Sequence, residues 1–293
     1  MRKAATVGTF DGVHIGHRAV IDTLKNAASG KGLSPLVITF DRHPLEVIAP
    51  QRAPKRLMSP CEEECRLRSL GVEVEMIPFT RGLMSLTARE WMQRMHCTMD
   101  VDILVAGYDN TFGCDGIDMS IADYKAIGRE TGIEVMAAPF VPGASSSEVR
   151  RALLAGETGK AAGMRGENSR LGGEVVKGRQ LGRTLGFPTA NVNAPTDRLV
   201  PGKGVYAADA VLRGGGTFPA VVNVGVRPTI GDNLSPTVEA HLIGWEGDLY
   251  GQTLTLLFAD RIRGERRFPS LDALKAQIAA DTDAAIKALS GRR

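Results

Sequence analysis

Apolar and polar positions follow two different grammars along this chain. In the first half, short β-prone runs alternate with helical stripes. The runs are AATVGTF, LVITF, VEVEMIPF, VDILVAG and IEVMAAPF. Between them, Val20, Ile21, Leu24, Ala27 and Ala28 recur at helical spacing. Ser59-Pro60 with Glu62 and Thr87 with Glu90 are capping boxes, and Ser120 with Asp123 marks a third helix start. Strand-helix alternation predicts a parallel sheet with helices on both faces. Ligands of such sheets sit beyond the carboxyl ends of strands, and GTFDGVHIGH is the first strand-to-helix turn.

From about Arg170 the pattern changes to short strands only: GGEVV, GVYAADAVL, FPAVVNVG, TVEAHLIG and TLTLLFA. The turns RGGGT, RPTIGDN and WEGDLYG separate them, which predicts an antiparallel barrel or sandwich. A closing helix, SLDALKAQIAADTDAAIKAL, has Ser270 as its cap. The glycine-rich, polar stretch Ala155 to Gly173 reads as a linker. The expected division is residues 1–158, a linker at 159–170, and residues 171–293.

Composition narrows the partners. With 36 basic and 33 acidic side chains the net charge is only +3, too balanced for a broad nucleic-acid surface. Small anionic ligands need only local charge and stay open. Cys61, Cys65, Cys97 and Cys114 form no CxxC pair and have no histidine at zinc-finger spacing, so free thiols in a reducing cytoplasm are expected. Neither a signal peptide nor a run of about 18 apolar residues is present, so a cytoplasmic protein without a membrane span is expected.

The turn after the first strand suits anions. Gly8, Gly12 and Gly16 permit close backbone approach, and free N–H groups at a helix start attract phosphate. His14 and His17, three apart, project to one place, where imidazolium donors would favour growing phosphate charge. In the second half, KGRQLGRTLGFPTANVN repeats glycine every four residues, at Gly178, Gly182 and Gly186, which reads as a phosphate-lining loop. Thr189 and Asn191 offer hard oxygen ligands suited to Mg²⁺. No GxxxxGK[ST] motif occurs, so a kinase here is not of P-loop design.

GTFDGVHIGH resembles the HxGH signature of the Rossmann-like nucleotidyltransferases. With TFDRHP, AGYDNTFG and SSSEVRRALLAG following in order, the chain resembles the prokaryotic bifunctional riboflavin kinase/FMN adenylyltransferases. GFPTAN, GVYAA, NVGVRPT, VEAHLI and LYG match the riboflavin kinase barrel of that family. The resemblance implies a Rossmann-like N-terminal domain and a C-terminal antiparallel barrel with a terminal helix. It implies that His14 and His17 bind ATP phosphates and stabilise the transition state, with Gly8, Phe10, Asp11, Gly12 and Gly16 shaping the nucleotide pocket. Ser146, Ser147 and Arg150 would hold the triphosphate, and His43, Pro44, Asp109 and Asn110 would lie on the flavin side. In the barrel, Gly182, Gly186, Thr189 and Asn191 would bind Mg²⁺-ATP, and Glu239 would be the general base. Asn223, Arg227 and Thr229 would approach nucleotide or flavin, and Arg263, Glu265 and Phe268 would form a flavin-side flap. The chain departs from the family pattern at Asn110 and Thr111, where an aromatic and an arginine are usual, and at Cys114 and Glu148.

The expected activity is phosphorylation of riboflavin to FMN and adenylylation of FMN to FAD. Mg²⁺ with ATP is required, with no bound redox cofactor, nucleic acid or membrane. Two alternatives stay open: a riboflavin kinase whose adenylyltransferase domain has decayed, and a non-enzymatic flavin or nucleotide binder.

Overall fold

The computed structural model describes residues 1–108, 111–178, 182, 186–228 and 234–291. It divides into two compact units, Met1–Ser145 and Ser146–Arg293.

The first unit is built on strands β1 (Lys3–Val7), β2 (Ser34–Phe40), β3 (Glu73–Ile77), β4 (Val101–Ala106) and β5 (Glu134–Ala137). They pair in the order β3-β2-β1-β4-β5, all parallel. Helices α1 (Ile15–Lys31), α2 (Pro44–Ile48), α3 (Pro60–Arg68), α4 (Arg81–Met84), α5 (Ala88–Met99) and α6 (Ile121–Thr131) connect them. All three expected capping boxes form, at Ser59, Thr87 and Ser120. One sheet face, with Ala5, Val7, Leu36, Ile38 and Leu104, packs on Trp91, Met92 and Met95 of α5 and Tyr124 of α6. By strand alternation Val37, Ile103 and Val105 point the other way, where α1 buries Ile21, Leu24 and Ala28. The chain leaves β1 to build one side of the sheet and later returns to build the other. The carboxyl ends of β1 and β4 therefore flank a topological switch point.

The second unit opens with α7 (Ser146–Leu154) and α8 (Thr158–Arg165). Its strands are β6 (Ser169–Val176), β7 (Ala190–Asn193), β8 (Gly204–Leu212), β9 (Thr217–Pro228), β10 (Leu234–Leu242) and β11 (Thr253–Arg263). They close an antiparallel barrel in the order β10-β7-β6-β11-β8-β9. Of the barrel and sandwich expected from the pattern, the barrel is correct. Tyr206, Val222, Val238, Ala240, Leu256 and Phe258 fill its interior. Helix α9 (Leu271–Ser290) packs Ala285 and Leu289 on its outside, against Val205, Ala207, Val221 and Ala259. As expected, Ser270 caps α9, its hydroxyl accepting the Ala273 N–H at 3.1 Å.

Two expectations need correction. The stretch at 159–170 is not a loose linker: α8 and the start of β6 occupy most of it. Its glycines serve helix ends, since Gly156 (φ 79°) follows α7 and Gly166 (φ 68°) is the left-handed cap of α8. Arg165 is fully buried and donates to Ser169 Oγ and Glu167 Oε1, both at 3.2 Å. Thr158 Oγ1 donates to the Ala259 carbonyl at 2.9 Å, tying α8 to β11. Strand β7 was read as loop, because its four residues include two asparagines and follow a proline.

Candidate functional site

In the first unit the site forms where β1 ends. Gly12 (φ 87°) and Val13 (φ 40°) take left-handed backbone, reversing the chain into α1. His14 caps that helix: its Nδ1 accepts the His17 N–H at 3.3 Å. With Nδ1 accepting, a neutral His14 ring carries its proton on Nε2 as a donor. The two imidazoles stack, centroids 3.7 Å apart and planes 21° from parallel, and Phe10 lies 5.0 Å from His17. Gly16 makes this possible. A Cβ there would stand 3.0 Å from the His14 ring and 3.1 Å from the Ala144 carbonyl. Burial, with His14 beside it, holds His17 well below the ordinary histidine pKa. His17 is thus a neutral imidazole at pH 7, not the imidazolium expected from sequence. Its Nδ1 is buried without a hydrogen-bond partner, a cost that an approaching ligand atom would remove.

Asp11 faces away from a nucleotide role. Its carboxylate accepts the Leu57 N–H at 2.9 and 3.0 Å and the Met58 N–H at 3.0 Å. It pins the turn to the segment before α3. Gly12 supports the same contact, since a Cβ would meet Leu57 Cδ1 at 2.7 Å. Gly8 donates its N–H to Ile38. His43 caps α2, accepting the Leu45 N–H at 3.1 Å, with Pro44 at the first helical position. His43, Arg42, Arg56, Thr39, Asp11 and Glu63 border a water-sized polar cavity of about 10 Å³. Asp109 and Asn110 lie outside the described residues.

Sequence reading missed an aromatic pair at the same rim. Tyr108 and Phe140, 74% and 61% exposed, follow β4 and β5 with ring centroids 4.6 Å apart. Ser146, Ser147 and Arg150 stand on α7, at the start of the second unit, with Ser146 and Arg150 four apart on one helix face.

In the second unit the barrel register assembles the other site. Glu239 on β10 lies directly opposite Asn191 on β7 and Asn223 on β9. Its neighbours Val238 and Ala240 point into the core, so all three polar side chains share the outer face. Gly178 must be glycine, because Asn191 side-chain atoms stand 2.2 to 2.5 Å from where its Cβ would be. Gly182 packs similarly on the Phe187 carbonyl at 2.4 Å and Thr189 Oγ1 at 3.3 Å. Gly186 (φ 86°) takes left-handed backbone. Thr189 borders a cavity of about 240 Å³, also lined by Pro188, Ala240, Trp245, Asp248 and Tyr250. Its aromatic walls and His241 carried no signal in the sequence. His241 Nδ1 bonds the Pro188 carbonyl at 2.9 Å and its ring meets Phe187 edge-on, bracing the GFPT segment.

The flap residues divide. Arg263, expected on the flavin, has its fork taken: Nε and Nη2 bond the buried Asp281 of α9 at 2.7 to 3.1 Å, and Nη1 bonds the Gly264 carbonyl at 3.0 Å. It pins the flap rather than reaching outward. Arg263 and Arg266 also sit over Phe268, at 5.6 and 5.0 Å from its centroid. Glu265 Oε1 stands 2.8 Å from a Cβ position on Gly225, beside Asn223. Arg227 is placed on β9 by its backbone, opposite Ser235, and Thr229 lies outside the described residues.

Family models match both halves: FAD synthetase over residues 1–149 and riboflavin kinase over residues 165–289. The first ends inside α7. A Pseudomonas fluorescens bifunctional riboflavin kinase/FMN adenylyltransferase is 37% identical, over 96% of this chain and 91% of that protein. Proteins of the same name from Escherichia coli K12 (38%, covering 94% and 89%) and Bacillus subtilis 168 (33%, covering 100% and 94%) are also similar. A crystal structure of a Streptococcus pneumoniae protein called a macrolide-efflux protein superposes with a TM-score of 0.88. It is 31% identical and covers 97% of this chain and 94% of that one. Among the described residues here, no helix is long and apolar enough to cross a membrane.

Proposed function

The chain belongs to the bifunctional riboflavin kinase/FMN adenylyltransferase family, and we propose that its two sites are the HxGH turn at the end of β1 and the outer face of β7, β10 and β9. Riboflavin and ATP give FMN and ADP at the barrel. FMN and a second ATP give FAD and pyrophosphate at the α/β unit. With a family model matching each half, a decayed adenylyltransferase or a pure binder has no support.

In the first reaction the riboflavin 5′-hydroxyl attacks the γ-phosphorus, and Glu239 takes its proton. A positioned base contributes about 10²–10⁴-fold. The observation that carries this reading is the register: Glu239 stands beside Asn191, the expected phosphate and metal ligand, on the surface next to Thr189. Thr189 Oγ1, the Asn191 amide oxygen and nearby carboxylate are hard donors that suit Mg²⁺. Among the described residues, no group of three or more His, Cys, Asp or Glu forms a cage, which fits a cation shared with substrate phosphates. Mg²⁺ would neutralise phosphate charge there. The cavity lined by Trp245 and Tyr250 would receive the nucleotide base. Arg263 acts by holding the flap that carries Glu265 and Phe268.

In the second reaction an FMN phosphate oxygen attacks the α-phosphorus of ATP and pyrophosphate leaves. The His14 Nε2–H and the His17 ring stabilise charge growing on the phosphates. Ser146, Ser147 and Arg150, which follow Ala144 directly in the chain, add donors to the triphosphate. Tyr108 and Phe140 offer a platform to a planar ring of one substrate. Chromatography of products from riboflavin with Mg²⁺ and ATP tests the reading: FMN appears first and FAD after it. FMN alone would refute the adenylyl-transfer half.

A further inference from the structure

Glu63 is a buried acid for which the chemistry above has no task. It stands on α3 beside Glu62, whose own carboxylate is occupied in the cap with the Ser59 N–H at 2.7 Å. Glu63 is 2% exposed. Thr39 of β2 donates its hydroxyl to Glu63 Oε1 at 2.7 Å, and the Phe10 N–H donates to the same carboxylate. Arg56, ahead of α3, brings Nη2 to 3.7 Å from Oε2 and bonds the Asp41 carbonyl at 2.8 Å through Nη1. Asp11 of the β1–α1 turn is the acid facing it, and Arg42 and His43 border the same small cavity.

We propose that Glu63 is a positioning residue for adenylyl transfer: by holding the Phe10 backbone, its carboxylate fixes the Phe10 ring against His17. This rests on the reading that His17 serves that reaction. Hydroxyl, amide and guanidinium all donate toward Glu63, so the geometry is made for the ionised form. Burial, aided by Asp11, opposes that form and pushes the carboxyl up to about 7. A charge so placed costs stability that an apolar side chain would not. The fold nevertheless keeps it one hydrogen bond from the residue that touches His17.

The test compares both half-reactions of the full chain across about pH 5.5 to 8.5. For the wild type, kcat for FAD formation from supplied FMN falls as pH drops through about 7. Glu63→Gln lowers that kcat about tenfold and removes this step, because its amide cannot titrate and turns an N–H toward Arg56. FMN formation from riboflavin is unaffected. Glu63→Asp restores the pH step at reduced kcat. If His17→Ala still makes FAD, the underlying reading and the proposal both fall. If His17→Ala is inactive while Glu63→Gln keeps the wild-type kcat and pH profile, the proposal alone is overturned.

Discussion

The two sites are made by opposite devices. The adenylyl-transfer site is local: Phe10, Gly12, His14, Gly16 and His17 fall within one turn and the first turn of α1. Long-range bonds from Asp11 and Glu63 then anchor that turn to the segment around α3. The kinase site is non-local: Asn191, Glu239 and Asn223 meet only because three strands pair in one register. A local site is sensitive to the shape of one turn. A register site is sensitive to the pairing of the whole barrel.

Crossed substitutions give the largest expected effects. His17→Ala abolishes FAD formation and leaves FMN formation near normal, while Glu239→Gln blocks FMN formation by about 10²–10⁴-fold and spares adenylylation of supplied FMN. Product assays with each substrate separately check this, and equal loss of both activities in either variant breaks the two-site picture. Next, Asp281→Ala leaves the buried Arg263 fork without its acid. About 3 kcal/mol of second-unit stability should be lost in denaturant melts, with a raised KM for riboflavin.

A third effect depends on pH. Glu63 is protonated in both folded and unfolded states below about pH 4.5, where it costs nothing relative to an ordinary carboxyl. Its folded pKa near 7 means that the native state binds more protons between these values, so stability falls as pH rises through that window. The loss approaches roughly 2–3 kcal/mol by pH 8. Glu63→Gln should flatten it and melt higher than wild type at pH 8, and equal melting there would argue against the buried charge. Gly16→Ala is the mildest. Its methyl crowds the His14 ring at 3.0 Å and should cost about tenfold in FAD formation with no change in the kinase reaction.

Legibility in the sequence follows the same division. The capping boxes at Ser59, Thr87 and Ser120 and the HxGH turn are written within a few residues, and each forms as read. What depends on partners far along the chain was less visible. ANVN gave no strand signal because β7 is defined by its pairing with β6 and β10. The glycines at 156 and 166 looked like linker flexibility and are helix ends. Arg263 looked like a ligand until α9 supplied Asp281. Glu63, inside CEEEC, resembles an ordinary solvated helix charge. Its one sequence clue is that buried Leu67 lies four residues on, along the same helix face.

The alternation along β10 has an evolutionary consequence. Glu239 faces outward only because Val238 and Ala240 face in, so inserting or deleting one residue there would do two things at once. It would remove the base from the site and drive a carboxylate into the barrel. Substitutions on the outer face can be sampled singly, but changes of length cannot. The kinase surface is therefore free to drift in chemistry while its spacing is policed by folding itself.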